Sequence, residues 1–102
     1  MTKDMYLLFY KVGEDYVEKR AAYRKEHLDL AHEFAEKGHL LMGGALANPV
    51  DGAVLVFQVP QKEIIEEFVQ KDPYVKNGLI SSWEIRPYKV VAGRYCQHPL
   101  IL

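Results

Sequence analysis

Residues 5–12 alternate, but both alternating sets are apolar: Tyr6, Leu8, Tyr10 and Val12 fall on one side, Met5, Leu7 and Phe9 on the other. This predicts a strand covered on both faces. From residue 15 to 37 the period becomes helical. At roughly 100° per residue, Tyr16, Arg20, Tyr23, Arg24, Leu30, Ala31 and Phe34 lie within about 60° of His27, while Lys19, Lys25, Glu26, Asp29, Glu33 and Glu36 take the other side. Such a helix lays an apolar face on a core, with a basic and aromatic strip let into it. Gly13 ends the strand, Asp15 and Glu18 have the spacing of a capping box, and Gly38 suits the position after the helix.

Residues 40–47 read as a second strand interrupted by Gly43-Gly44, a pairing that marks either a bulge or a place where something approaches the backbone closely. Asn48-Pro49-Val50-Asp51-Gly52 is a turn, and 53–59 is a third strand, again apolar on both faces. Pro60 opens a short helix with Ile64, Ile65, Phe68 and Val69 inward and Glu63, Glu66 and Glu67 outward. Asp72-Pro73-Tyr74 ends it, because a proline disfavours the helical conformation of the residue before it. The last strand, 79–87, mixes Ser81, Ser82, Glu84 and Arg86 among its apolar residues, as an edge strand does.

The order β-α-β-β-α-β is that of an α+β, ferredoxin-like fold: a four-stranded antiparallel sheet with two helices on one face, and the first and third strands at its centre. One domain spans 1–102, with its core at 5–88 and a tail at 89–102. Two helices cover one face of the sheet, yet the central strands are apolar on both. The pattern therefore predicts a homodimer packed sheet against sheet, the tail lying over the partner or the sheet rim.

Thirteen basic and fourteen acidic residues, mixed along the chain, create no field for a polyanion, which argues against nucleic acid or a membrane surface as partner. No stretch approaches the ~20 apolar residues of a membrane span, and residues 5–10 lack the flanks of a signal core. The single cysteine, Cys96, has no internal partner for a disulfide. The expectation is a cytoplasmic protein.

Reactive groups converge at two places. His27 faces inward with Arg20 and Arg24, and Asp72 sits in the break after the second helix. In this fold an acid in that loop can reach a histidine midway along the first helix. A carboxylate on one imidazole nitrogen fixes the tautomer and leaves the other as a general base or acid. Structural readings stand beside this one: inward histidines are often merely satisfied, long cations lie along core edges, and Asp72-Pro73 is also an ordinary cap for a turn at 73–77. His27 and His32 are roughly 140° apart on the wheel, Cys96-Gln97-His98 lacks a second pair at zinc spacing, Gly43-Gly44 lacks the rest of a phosphate loop, and Ser81-Ser82 has no nucleophile elbow. No metal or cofactor is therefore expected. Trp83 reads as core or dimer interface.

The run Arg-Ala-Ala-Tyr-Arg-Lys-Glu-His-Leu at 20–28, Gly-His-Leu-Leu-Met-Gly-Gly at 38–44, Asp51-Gly52, Asp72-Pro73-Tyr74, Gly78-Leu79 and Trp-Glu-Ile-Arg-Pro at 83–87 together resemble the YCII-related (YciI-like) family over about 5–88. The resemblance implies a dimeric α+β barrel and an active site pairing the histidine of Arg-x-x-His-Leu with the aspartate of Asp-Pro-Tyr/Phe, here His27 and Asp72. It also implies company among enzymes that eliminate HCl from a chlorinated hydroxyhydroquinone, isomerise muconolactones or act as small monooxygenases. The usual Gly-Gly-Pro is Gly43-Gly44-Ala45 here. The expected function is that of a cofactor-independent lyase or isomerase acting on a small cyclic or aromatic compound. His27 would be base or acid, Asp72 its orienting partner, and Arg20 or Arg24 the balance for an enolate or phenolate, with Tyr23, Tyr74, Gly43 and Gly44 lining the pocket. The alternative is a non-catalytic small-molecule-binding or regulatory module.

Overall fold

A computed structural model describes residues 4–96. The elements are β1 (Asp4–Val12), α1 (Tyr16–Glu36), β2 (Leu40–Ala45), β3 (Gly52–Val59), α2 (Glu63–Lys71), α3 (Pro73–Lys76) and β4 (Ile80–Pro87). The sheet order is β2-β3-β1-β4 and all neighbours are antiparallel, so the two most apolar strands occupy the centre. This is the ferredoxin-like arrangement.

The core lies between the sheet and the helices. Leu8 from β1, Phe57 and Val59 from β3, Phe34 from α1, and Ile65, Phe68 and Val69 from α2 are all buried there. Phe68 packs edge-on to Phe34 and Phe57, with ring centroids 5.2 and 5.4 Å away. On the opposite face the register places Phe9 across from Glu84 and Leu7 across from Arg86. Met5, Leu7, Val54 and Val56 are half-buried on that bare side, and Phe9 is 38% exposed.

Several local expectations need correction. The turn after Asp72 is a third helix, α3, because Asp72 caps it and Pro73 supplies a pre-set first residue. Asp15 begins α1 without the capping-box bond; its carboxylate instead faces Lys19 Nζ at 3.2 Å, one turn on. The irregularity in β2 falls between Leu40 and Met42, while Gly43 and Gly44 pair regularly with Leu55 and Val54. Trp83 lies opposite Tyr10 on the edge strand and is 39% exposed, so of its two expected places the core is excluded and an interface is left. Residues 88–96 continue past β4, with Tyr88 N–H donating to Met5 O at 2.9 Å. The remainder of the expected tail, 97–102, lies outside the described residues.

Phe68 contacts both helix α1 and the sheet, so its removal empties the centre of the core. Phe68→Ala is expected to lower unfolding free energy by about 3–5 kcal/mol, checked by denaturant unfolding.

Candidate active site

Asp72 is where two local requirements meet. As the residue before Pro73 it takes an extended backbone conformation, φ −70° and ψ 118°, which is also that of a helix N-cap. Its Oδ1 accepts the Tyr74 backbone N–H at 3.0 Å. The same oxygen is 2.8 Å from His27 Nδ1, and Oδ2 accepts the Tyr10 hydroxyl at 2.7 Å. The structural and functional readings of Asp72 therefore coexist, since one carboxylate caps α3 and holds the histidine.

An ionised Asp72 can only accept, so a neutral His27 ring that bonds to it does so through a hydrogen on Nδ1 and leaves Nε2 bare. His27 is further fixed by Tyr74, whose ring stacks on the imidazole at 4.0 Å with 9° between planes. Tyr16 meets Tyr74 edge-on at 5.8 Å, and Arg20 lies over the Tyr16 ring at 5.4 Å. The Tyr10 phenol is pushed far above its ordinary range, first by burial and then by the adjoining Asp72 carboxylate. Tyr74 is also raised, first by burial and then by Tyr16, against the opposing pull of the Arg24 and Arg20 guanidiniums. Both tyrosines are thus held as neutral phenols.

These groups border a cleft of about 480 Å³ between α1 and β2. Of the residues singled out from sequence, Arg20, Arg24, His27, Gly43, Gly44 and Tyr74 line it. Asp72 stands behind His27 at 0% exposure. Tyr23 is not among the lining residues and packs against the core instead. Gly43 lies where a Cβ would come within 3.0 Å of Leu55 Cγ, whereas a Cβ on Gly44 would meet nothing within 4 Å. Sequence reasoning missed Tyr10, Tyr16 and His32, all of which line the cleft. Tyr10 could have been found: a tyrosine on the core-facing side of a central strand needs a partner for its hydroxyl. Among the described residues no group of His, Cys, Asp and Glu side chains has the arrangement of a metal site, and no helix is long and apolar enough to cross a membrane.

The model of the YCII-related domain matches residues 5–89. The chain belongs to the YCII-related domain family. No curated protein matches it significantly. Among solved structures, this YCII-related chain is similar to the 5-chloro-2-hydroxyhydroquinone dehydrochlorinase of Burkholderia phenoliruptrix in complex with 2,5-dihydroxybenzoquinone, with a TM-score of 0.71 at 19% identity over 83% of this chain and 93% of that one. It is also similar to a dimeric ferredoxin-like protein from an uncultured marine organism, with a TM-score of 0.54 at 17% identity over 92% of each chain. A NIPSNAP family protein from Agrobacterium tumefaciens gives a TM-score of 0.56 at 14% identity, over 93% of this chain and 97% of that one. At these identities the likeness establishes the fold.

The raised Tyr10 phenol sets a pH dependence. Above pH ~10 an unfolded tyrosine loses its proton while folded Tyr10 keeps it, so the unfolded state binds fewer protons and stability falls as pH rises. Tyr10→Phe should cost about 1–3 kcal/mol at pH 7 by taking a donor from buried Asp72. It should also make the decline above pH ~10 shallower than in the parent, as measured by denaturant unfolding at both pH values.

Proposed function

We propose that this YCII-related protein is a proton-transfer enzyme of the lyase or isomerase type, acting on a small cyclic or aromatic compound with His27 as base and acid. The observation that carries this reading is the buried Asp72 carboxylate bonded to His27 Nδ1 at 2.8 Å, with Tyr10 holding its second oxygen. A carboxylate on one ring nitrogen fixes the orientation of the imidazole and leaves the other nitrogen to take and return a proton.

In the first step Nε2 removes a proton from a C–H or O–H of the substrate. The electron pair moves onto the substrate oxygen as an enolate or phenolate, and Arg20 or Arg24 at the cleft balances that charge. The anion then collapses in one of two ways. The imidazolium returns its proton to a different carbon, completing an isomerisation, or the electron pair expels a leaving group and the proton is passed on, completing an elimination. Neither course changes the substrate's overall redox balance or requires an external electron donor. The structural likeness to a dehydrochlorinase supports the second course as the first to assay.

We place the active unit in a homodimer joined through the bare sheet face. That face carries Phe9 at 38% exposure beside half-buried Met5, Leu7, Val54 and Val56, an apolar expanse that association would cover. The likeness to a dimeric ferredoxin-like protein supports it.

Two outcomes check these statements. His27→Gln and Asp72→Asn should each lower kcat by roughly 10²–10⁴-fold, and His27→Gln should leave thermal unfolding nearly unchanged; a large loss of stability from His27→Gln would mark the histidine as structural. Sedimentation should give twice the chain mass for the parent and a monomer for Phe9→Glu, since a charge on that face would be left unpaired in the interface.

A further inference from the structure

The cleft has a direction, set by the order of its lining residues along α1. Arg20, Arg24, His27, Ala31 and Ala35 recur at helical spacing on that wall. At about 1.5 Å per residue, Arg24 and Arg20 lie about 4.5 and 10.5 Å from His27 toward the helix N-terminus, and Ala31 and Ala35 about 6 and 12 Å from it toward the C-terminus. The chain reverses at Gly38, where φ is +80°, so β2 runs back along the helix. Leu40, Leu41 and Met42 therefore border the Ala31–Ala35 end, and Gly43, Gly44 and Ala45 border the stretch at His27.

The two ends differ in chemistry. Among the described residues, neither Arg20 nor Arg24 takes part in an ion pair, and no aspartate or glutamate lines the cleft. Two guanidiniums thus face it without a carboxylate partner, next to the neutral phenol of Tyr74. Past His27 the lining is Ala31, Ala35, Leu40, Leu41 and Met42, with His32 the sole titratable group among the residues on that side. Leu41 is 45% exposed, which is apolar surface a ligand can remove from water; Met42 pairs with Val56 and turns its side chain to the other face of the sheet, so it meets the cleft at its backbone.

We infer that the substrate is a preformed organic acid with an apolar substituent: its carboxylate rests on Arg20 and Arg24, its reacting ring lies at His27, and its apolar group extends over Ala31, Ala35 and Leu40. This inference rests on the reading of the cleft as the substrate site and adds two requirements to it. The charge on the arginines is present before any proton is removed, and the ring carries a hydrocarbon arm on the side opposite the acid. A planar arginine fork suits a carboxylate better than a point cation would.

Binding of benzoate, 4-butylbenzoate and 4-butylbenzamide, followed by calorimetry and by perturbation of the His27 ring resonances, tests this without requiring turnover. Expected are at least tenfold tighter binding of 4-butylbenzoate than of benzoate, and at least tenfold weaker binding of the neutral amide than of 4-butylbenzoate. Arg20→Gln and Arg24→Gln should each weaken both acids severalfold and leave the amide unchanged. Ala35→Phe should remove the advantage of the butyl group. Equal affinity for acid and amide, a butyl advantage that survives Ala35→Phe, or no binding of any probe would overturn the inference. The same titrations in His27→Gln separate this inference from the catalytic one: acid binding retained there supports the substrate class whether or not the parent turns any compound over.

Discussion

Burying a carboxylate in a 102-residue domain is costly unless its oxygens are addressed by donors. Asp72, at 0% exposure, solves this by drawing donors from separate parts of the fold: Tyr10 from a central strand, His27 from α1 and the Tyr74 backbone N–H from α3. The same bonds tie those elements together. Strand, long helix and short helix share one buried charge, so the position of His27 is a property of the core. The Tyr74 ring, stacked on the imidazole, closes the remaining freedom.

That arrangement explains why the site opens where it does. α1 and β2 part on the side of the helix bearing Arg20, Arg24 and His27, and the strand facing them carries Gly43, Gly44 and Ala45 in place of bulky side chains. Gly43 in particular stands over Leu55 with no room for a Cβ at ordinary contact distance. The cleft keeps cations and an imidazole at its wall and an ordered carboxylate behind that wall, the arrangement on which the proposed proton transfer rests.

Much of this was legible in the sequence because the relevant signals are periodic or local. Two strands apolar on both faces had to be central, and the sheet places them there. Asp-Pro announced both the end of α2 and an extended residue whose side chain could turn inward. What the sequence withheld was long-range. Tyr10 joins Asp72 across 62 positions, and its pattern by itself reads as a core tyrosine. The Asp15–Glu18 spacing promised a capping box, yet Asp15 faces Lys19 instead, since at a solvent-exposed helix start a nearby cation competes with the backbone. Gly43-Gly44 suggested a bulge or a close approach to the backbone; the bulge is one step earlier, between Leu40 and Met42, and the close approach is at Gly43, over the Leu55 side chain, while Gly44 has open space beside it.

The most direct test of the account is the protonation pattern of one ring. Nitrogen-15 NMR of the neutral His27 imidazole distinguishes which nitrogen carries the hydrogen. A His27 held by Asp72 should show Nδ1 protonated and Nε2 bare, with Nε2 shifting when a cleft ligand binds. A ring protonated at Nε2, or one exchanging evenly between the two forms, would mean that Asp72 does not orient it, and the dyad would have to be given up.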